Sequence, residues 1–189
     1  LKDAQLKYLQ AQINPHFLFN TLNAGAQLAM MEGADKTCLF IENVADFFRY
    51  NIKSFERDST IRDEISLVDN YIYIINVRFS GRIHFYKEID EDVLDERVPS
   101  MILQPIVENA VNYGIRAVEY EGEIRLKIVQ EANTILITIS DNGVGMEQAV
   151  IDRIMNPKIR NQVEVNVRHN TGDSNGIGLS NVINRLRLY

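Results

Sequence analysis

The sequence predicts an α+β fold in which an N-terminal helical hairpin precedes a mixed layer of strands and helices. Through the first third of the chain, apolar residues recur every three or four positions, which is the period of one helix face. Residues 83–89 and 124–128 instead largely alternate apolar and polar side chains, which is the period of a half-buried strand. The chain has 189 residues, of which 46% are hydrophobic, and this is enough to form a folded core.

Two helices are predicted at the start of the chain, joined by a turn at 33–35. The first helical pattern covers 1–31. We expect a kink or a local loosening at Pro15, just before His16, because a proline removes a helical hydrogen bond and clashes with the preceding turn. The second helix carries Phe40 and Phe48 on one side. Two helices bury little surface by themselves, so we expect the hairpin to pack on a partner chain or on the rest of the protein.

A third helix is predicted between a start signal and a stop signal. Thr60 followed by Asp63 resembles a capping box, with Asp in place of the usual Glu or Gln. The apolar period continues to about Phe79, and Gly81 is the kind of residue that lies just beyond a helix end.

The second half of the chain mixes strands with helices. Pro99 is expected to open an apolar helix, because proline is favoured in the first helical turn. The polar segment 156–175 is long enough to indicate a functional lid. The other predicted elements are strands over 83–89, 124–128 and 135–139, a hairpin turn at 131–133, a short helix over 147–155 and a last helix from about 176 to 188.

The composition excludes several classes of function. The formal net charge is −6, whereas general binders of nucleic acids or anionic membranes need clustered Lys and Arg. A single cysteine, Cys38, can form neither a disulfide within the chain nor a cysteine-based zinc site. The sequence also has no run of about 18 apolar residues of the kind that crosses a membrane.

His16 is a candidate nucleophile on the first helix. Gln12, Asn20 and Asn23 fall on the same helical stripe, so polar groups surround the imidazole. A neutral imidazole nitrogen is a good nucleophile at physiological pH, and a neighbour bonded to the other nitrogen selects the tautomer. The alternative interpretation is a hydrogen-bonded histidine at a helix seam. A metal site is disfavoured, because no second His or Cys lies at ligand spacing.

Three further segments have the chemistry to hold a nucleotide. Glu108 and Asn109 lie at the edge of an apolar helix, where an amide oxygen suits Mg²⁺ and a carboxylate can polarise an attacking group. Asp141 opens a glycine-bearing loop at a strand end and can accept a hydrogen bond from an amino group such as that of adenine. Residues 171–179 are glycine-rich and lead into the last helix, a place where backbone N–H groups bind anions. Taken singly, these segments are also explained as a solvated helix edge and ordinary turns.

Several segments of the chain occur together, in this order, in one known family. Residues 13–23 (INPHFLFNTLN) resemble the phosphoacceptor box of the LytS/YesM-type sensor histidine kinases, and residues 98–110 (VPSMILQPIVENA) resemble their N box. Residues 141–145 (DNGVG) and 176–182 (GIGLSNV) resemble the first and second glycine boxes. The segment 78–82 (RFSGR) also resembles a recurrent family segment, so the resemblance covers nearly the whole chain.

The resemblance implies an α+β fold with two parts. The first, 1–56, is a helical phosphoacceptor region that dimerises. The second, 57–189, is the two-layer α/β sandwich that binds ATP in histidine kinases, gyrase and MutL. Relatives usually continue into another strand pair, so we expect the sheet of this chain to lack its last strands.

The same resemblance implies a protein-histidine kinase. ATP, with Mg²⁺ as cofactor, would transfer its γ-phosphoryl group to His16, and a response regulator would then take that group onto an aspartate. Glu108 is the expected proton-handling residue, and Asn109 the expected Mg²⁺ ligand. Many family members carry a basic residue and a histidine where this chain has Asn112 and Tyr113. The nucleotide-binding residues implied are Asn109, Asn112, Asp141, Gly143, Gly145, Gly176 and Gly178.

Two other functions remain open on the sequence. An ATP-gated dimerising clamp of the gyrase and MutL class would act without forming phosphohistidine. A non-catalytic scaffold would bind nucleotide or partners without phosphoryl transfer. The resemblance further implies that the chain is the cytoplasmic portion of a protein anchored in the bacterial cell membrane by a part that precedes Leu1.

Overall fold

The computed structural model describes residues 14–53, 58–155 and 177–189. Within these ranges a helical hairpin precedes helices packed on a small sheet, as the sequence predicts. No helix in these ranges is long and apolar enough to cross a membrane. The elements in chain order are α1 (Pro15–Met31), α2 (Asp35–Lys53), β1 (Ser59–Thr60), α3 (Ile61–Arg78), β2 (Ile83–Ile89), β3 (Arg97–Val98), α4 (Leu103–Asn109), β4 (Gly122–Glu131), β5 (Thr134–Asp141), α5 (Gln148–Met155) and α6 (Ile177–Leu188).

Helix α1 begins at Pro15, and the backbone departs from helical geometry just before it, as the expected local loosening at this position predicts. Asn14 has an extended backbone, and its side-chain oxygen accepts a hydrogen bond from the Phe17 N–H at 3.2 Å. Asn14 is therefore an N-cap, and Pro15 occupies the first turn, where a missing N–H leaves no helical bond unmade. The proline starts a helix rather than bending one. Residues 1–13 of the predicted helix lie outside the described ranges.

The hairpin of α1 and α2 is joined through small side chains. Ala26, Ala29 and Cys38 are buried between the two helices. The Arg49 guanidinium of α2 lies over the Phe19 ring of α1, 5.6 Å from its centroid. Because small side chains fill the seam, most of the larger apolar side chains of α1 lie elsewhere on its surface.

Helix α3 has the predicted start and end. The Thr60 hydroxyl oxygen accepts a hydrogen bond from the Asp63 N–H at 3.1 Å, and the Asp63 carboxylate accepts one from the Thr60 N–H at 3.2 Å. Gly81 follows the helix with a φ of 77°, which glycine adopts without strain. Helix α3 packs on α2 and on α4, so it connects the hairpin to the α/β part.

The main sheet has the strand order β2-β4-β5, while β1 and β3 form a separate antiparallel pair. Strand β4 is parallel to β2 and antiparallel to β5, and β4 and β5 are joined by the predicted hairpin turn. One face of the sheet is polar and the other packs on helices, which gives a two-layer α/β sandwich. The helix-covered face carries Ile83, Phe85 and Ile89 of β2, Ile124, Leu126 and Ile128 of β4, and Ile135, Ile137 and Ile139 of β5.

Helix α4 begins at Leu103, and the predicted start at Pro99 is wrong. Met101 has a φ of 63°, which no right-handed helix contains. The N–H groups of the residues around this start donate to the carboxylate of Glu64 on α3. A side chain from a distant helix therefore sets where α4 starts.

Candidate functional site

Helix α4 and the turn that follows it carry three of the polar residues expected at the site. Val107 and Val111 are fully buried, whereas Asn109 is half-buried and Asn112 is exposed. Residues three apart on a helix share a face, so the two asparagines lie on the accessible side of α4. After Asn109 the backbone widens into one π-helical turn, Ala110–Gly114, a departure that is frequent at functional sites.

Gly114, Asp141 and Gly143 meet at one point. Asp141 follows Ile139 by two positions, so its side chain points to the helix-covered face of the sheet. A Cβ atom at Gly114 would lie 2.7 Å from Oδ1 of Asp141, and one at Gly143 would lie 2.3 Å from the Cα of Gly114. At Gly143 a side chain would collide with backbone, so glycine is required there, whereas a side chain at Gly114 would have to displace the Asp141 carboxylate. The Asp141 carboxylate therefore lies against the end of the π-helical turn, while the residue as a whole stays exposed.

The loop after β5 is held in place by its own polar groups. Oδ1 of Asp141 accepts a hydrogen bond from the Gly143 N–H at 2.9 Å. Asn142 accepts one from the Glu123 N–H at 2.8 Å and donates one to the Glu121 carbonyl at 3.1 Å. A carboxylate has about four lone-pair sites, so Asp141 retains capacity for a donor from a ligand.

The two glycine segments lie at opposite ends of α4. Near the start of α6, a Cβ at Gly178 would lie 3.9 Å from the Cβ of Pro105, in the first turn of α4. The loop after β5 lies at the other end, and there Gly145 has a φ of 74° in open space. Gly176 and the predicted lid at 156–175 lie outside the described ranges.

Glu108 lies on the side of α4 that faces α3. Its carboxylate accepts a hydrogen bond from the Gln104 side-chain amide at 2.7 Å. Burial, together with the nearby charge of Glu108, raises the pKa of Tyr71 on α3 well above its ordinary value. Gln104 is buried, and its Oε1 atom has no hydrogen-bond partner within the described ranges. Glu108 is thus adjacent to Asn109 in the sequence but does not lie on the accessible side of α4 that carries Asn109.

His16 lies in the first turn of α1 and is exposed. The Asn20 side-chain nitrogen is 3.3 Å from Nδ1 of His16 and 3.5 Å from Nε2. The predicted polar stripe is therefore present at these two positions. Helix α1 packs mainly on α2, so the structure brings Asp141 and the α4 residues together but holds His16 apart from them on the hairpin.

Two residues of this arrangement were not found from the sequence. Glu64 is a charged residue on the apolar side of α3, beside Ile61 and Ile65, and that position was the available signal. Gly114 follows the polar end of α4, and nothing local distinguishes it from an ordinary turn glycine. Its role depends on contact with Asp141, which is 27 residues away in sequence.

The residues present fit a nucleotide-bound magnesium ion better than an all-protein metal centre. Over the described ranges no group of three or more His, Cys, Asp or Glu side chains is arranged to hold a metal. Mg²⁺ that is bound with phosphates takes few protein ligands, because phosphate oxygens and water complete its shell. The half-buried amide of Asn109 meets that requirement.

Comparison with known families decides the class of this chain. A histidine kinase family model matches residues 4–83. A second model, of the histidine kinase-, DNA gyrase B- and HSP90-like ATPases, matches residues 95–188. The chain belongs to the sensor histidine kinases. Its second part therefore belongs to a family of ATPases, and the α/β sandwich described above agrees with that membership.

Curated sensor kinases align with almost all of the chain. The chain is 33% identical to sensor histidine kinase YpdA of Escherichia coli over 186 residues and 32% identical to sensor histidine kinase YesM of Bacillus subtilis over 188 residues. These alignments cover 98% and 100% of the chain, but the chain spans 30% of the length of each relative. A solved histidine kinase domain from Erythrobacter litoralis EL346 aligns at a TM-score of 0.43 and 13% identity, over 96% of this chain and 81% of that one.

Proposed function

We propose that this chain is the catalytic core of a sensor histidine kinase in a two-component system. It uses ATP to phosphorylate His16 and then passes the phosphoryl group to an aspartate of a response regulator. The proposal is carried by two features of one chain: an exposed histidine in the first turn of a capped helix, and an exposed aspartate against the π-helical turn that follows α4. The proposed domains are 1–56, for phosphoacceptance and dimerisation, and 57–189, for ATP binding.

In this proposal Asp141 recognises adenine. Its carboxylate accepts a hydrogen bond from the exocyclic amine, a contact that a guanine carbonyl cannot make. Gly143 and Gly145 shape the pocket, because a side chain at Gly143 would collide with the backbone of Gly114 and one at Gly145 would strain the loop.

The phosphates are proposed to lie towards the start of α6, near Gly178. Gly176, which lies outside the described ranges, is proposed to bind them as well. Backbone N–H groups at a helix start point at an anion without needing a positive side chain, which is consistent with the acidic composition of the chain. Asn112, on the same side of α4 as Asn109, is a proposed polar contact to the nucleotide.

Asn109 is the proposed Mg²⁺ ligand. When bound, the ion neutralises negative charge on the transferring phosphates. Asn109 offers one amide oxygen, and the amide NH₂ group remains able to donate to a phosphate oxygen.

The transfer step needs one nucleophile and little other covalent chemistry. Nε2 of His16 attacks the γ-phosphorus, a P–N bond forms, and the bond to the β,γ-bridging oxygen breaks so that ADP leaves with the electron pair. The Asn20 amide nitrogen faces Nδ1 of His16 at 3.3 Å. A 180° rotation of this amide would instead present its oxygen to an Nδ1–H and select the tautomer in which Nε2 is the free nucleophile. The imidazole proton is then lost, and Glu108 is the proposed group that receives it.

The proposed dimer interface is an exposed apolar stripe on α1, formed by Phe17, Leu28 and Met31. These side chains are 69%, 57% and 84% exposed. They are 11 and three residues apart, so they lie on one face of the helix. A contiguous exposed apolar face of this kind is typical of a protein interaction surface, and we propose that a second copy of the chain covers it.

The chain spans 30% of the length of its curated relatives, so the parent protein is proposed to contain more than these residues. We propose that the parent protein is anchored in the bacterial cell membrane and that this chain is its cytoplasmic portion. Detection of the full-length protein in membrane fractions, with the chain accessible only from the cytoplasmic side, would test this.

The experiment that tests the function is incubation of the full-length protein with Mg²⁺ and ATP labelled at the γ-phosphate. We expect an acid-labile, alkali-stable label on the wild type and none on His16→Gln. His84→Gln is the matched control, because His84 lies on the polar face of β2 and pairs with Glu121 at 2.8 Å. Label that survives in His16→Gln would contradict the assignment, and ATP hydrolysis without any phosphohistidine would favour the clamp.

A further inference from the structure

Glu64 is a fully buried carboxylate, and within the described ranges its hydrogen bonds come from outside its own helix. Oε1 accepts from the Met101 N–H at 2.8 Å and from the Tyr50 hydroxyl at 3.3 Å. Oε2 accepts from the N–H groups of Ile102 and Leu103 at 2.9 and 3.1 Å. These four donors fill the acceptor capacity of one carboxylate, so the buried charge is fully compensated.

Three of these donors are the backbone groups at the start of α4. The first N–H groups of a helix have no partner within the helix, and the helix dipole adds positive potential there. A carboxylate supplies both the acceptors and the opposite charge. Glu64 therefore replaces a local N-cap, and it holds Met101 at a φ of 63°, where a non-glycine residue is otherwise strained.

The fourth donor ties this cap to the phosphoacceptor hairpin. Tyr50 lies on α2, and its oxygen also contacts the Ser59 hydroxyl at the start of β1. Burial is the main cause that raises the pKa of Tyr50 to about 12, so its hydroxyl stays protonated and can donate to Glu64. One carboxylate thus joins α2, α3 and α4.

The start of α4 is held from a second side as well. The Arg185 guanidinium of α6 donates to the Ser100 carbonyl, just before the helix. Asn109 is the last residue of α4, and the helix is short. A shift of the first turn of α4 therefore also moves Asn109.

We propose that Glu64, supported by Tyr50, is a positioning residue for the nucleotide site. By fixing the start of α4 it sets where Asn109 lies relative to the adenine-binding loop, and through Tyr50 it makes that position depend on α2. This inference rests on the proposed function, because it assumes that Asn109 acts on the magnesium-bound phosphates. Asp141 is oriented by the Gly143 N–H of its own loop, whereas Asn109 lies on the helix whose start Glu64 caps. We therefore expect the contact with adenine to change less than the contact with the magnesium-bound phosphates.

The test separates the magnesium-dependent part of nucleotide binding from the rest. The dissociation constant of a fluorescent ADP analogue is measured in EDTA and in Mg²⁺ for the full-length protein. The constant in EDTA divided by the constant in Mg²⁺ gives the gain in affinity that Mg²⁺ provides, and this ratio is compared between variants. For Glu64→Gln, in which an amide NH₂ must face N–H donors, we expect the ratio to fall by about fivefold or more, with the constant in EDTA within about twofold of wild type. Glu64→Asp, which keeps the charge but is shorter, is expected to give an intermediate ratio.

Asp69→Asn is the matched control. Asp69 is also an acid on α3, but it is exposed and pairs with Lys87 of β2 at 2.6 Å. Its ratio is expected to stay within about twofold of wild type, since a surface ion pair contributes little. Thermal unfolding followed by circular dichroism confirms that each variant is folded at the temperature of the binding measurement.

Each outcome decides the inference. An unchanged ratio in folded Glu64→Gln would overturn it, and so would an equal loss of affinity in EDTA and in Mg²⁺, which indicates general loosening. If Glu64→Gln does not fold, Tyr50→Phe decides: a ratio lowered about twofold or more supports the inference, and an unchanged ratio overturns it. If the wild type binds no nucleotide, or if Asp141→Ala leaves nucleotide affinity unchanged, the proposed function itself has failed.

Discussion

Asp141 is the last residue of β5, and two glycines fix its surroundings. The strand alternation turns its carboxylate to the helix-covered face, where Gly114 and Gly143 leave space for it. One oxygen accepts the Gly143 N–H, so the carboxylate is oriented before any ligand arrives. Because the carboxylate is already oriented, less conformational entropy is lost when a ligand binds to it than when a mobile acceptor must be ordered.

The first prediction concerns the contribution of this carboxylate to ATP affinity. Asp141→Ala is expected to weaken ATP binding by about tenfold to a hundredfold, because a hydrogen bond to a charged group is lost. Asn112→Ala is expected to weaken it by about two- to fivefold, since Asn112 is exposed and uncharged. Isothermal titration calorimetry of both variants measures the difference. Equal and negligible effects would contradict the placement of adenine at β5.

At this scale the sequence predicts residues whose signal is local. His16 and its polar neighbour Asn20 are four apart on one helix, and their proximity follows from helical geometry alone. Glu64 differs, because its partners at 101–103 are 37 to 39 residues away in the sequence. They become its neighbours only when α3 and α4 pack together. Local patterns carry no information about such a contact.

The loop after β5 shows how one element uses its glycines differently. Gly143 is required by close approach, since its Cβ would lie 2.3 Å from the backbone of Gly114. Gly145 is required by conformation, since its φ is 74° but the space around it is open. The first restriction involves two elements, and the second involves only the loop.

A second prediction follows from this difference. Gly143→Ala is expected to destabilise the protein by about 2 kcal/mol or more and to lower ATP affinity, because the backbone of Gly114 cannot move aside without displacing the end of α4. Gly145→Ala is expected to cost about 1–2 kcal/mol from left-handed strain, with a smaller effect on affinity. Urea unfolding and calorimetry measure both. A larger loss in Gly145→Ala would contradict the proposed close contact.

Element boundaries were predictable where chain neighbours set them. The capping box at Thr60 and Asp63, the glycine after α3 and the turn between β4 and β5 are all observed as predicted. The local loosening predicted at Pro15 is observed, whereas the helix start predicted at Pro99 is wrong. Pro15 starts a helix because Asn14 caps it, whereas Pro99 precedes a helix whose start Glu64 sets from another element.

Across the whole molecule, the hairpin and the α/β part meet through α3. Helix α3 packs on α2 and on α4, while α1 contacts mainly α2. The outer stripe of α1, formed by Phe17, Leu28 and Met31, therefore remains exposed in a single chain. The hairpin was expected to pack on a partner chain or on the rest of the protein. Its packing on α3 confirms the second alternative, and a partner chain on the exposed stripe stays a prediction.

A third prediction tests that stripe. Leu28→Glu combined with Met31→Glu is expected to convert a dimer to a monomer, because two charges would be buried without partners at the interface. Val77→Glu is the matched control, since Val77 is 56% exposed on α3 and outside the stripe. Analytical ultracentrifugation measures the mass, and nucleotide affinity is expected to be unchanged in all variants. A dimer that persists in the double variant would contradict the proposed interface.

The central claim is that this chain carries its phosphoryl group on His16. The most direct measurement is to incubate the full-length protein with Mg²⁺ and ATP, digest it at neutral to alkaline pH and locate the phosphoryl group by mass spectrometry. The account predicts a phosphorylated peptide that contains His16, with the modification lost on mild acid treatment. A phosphoryl group on any other residue, or turnover of ATP that leaves every histidine unmodified, would contradict it.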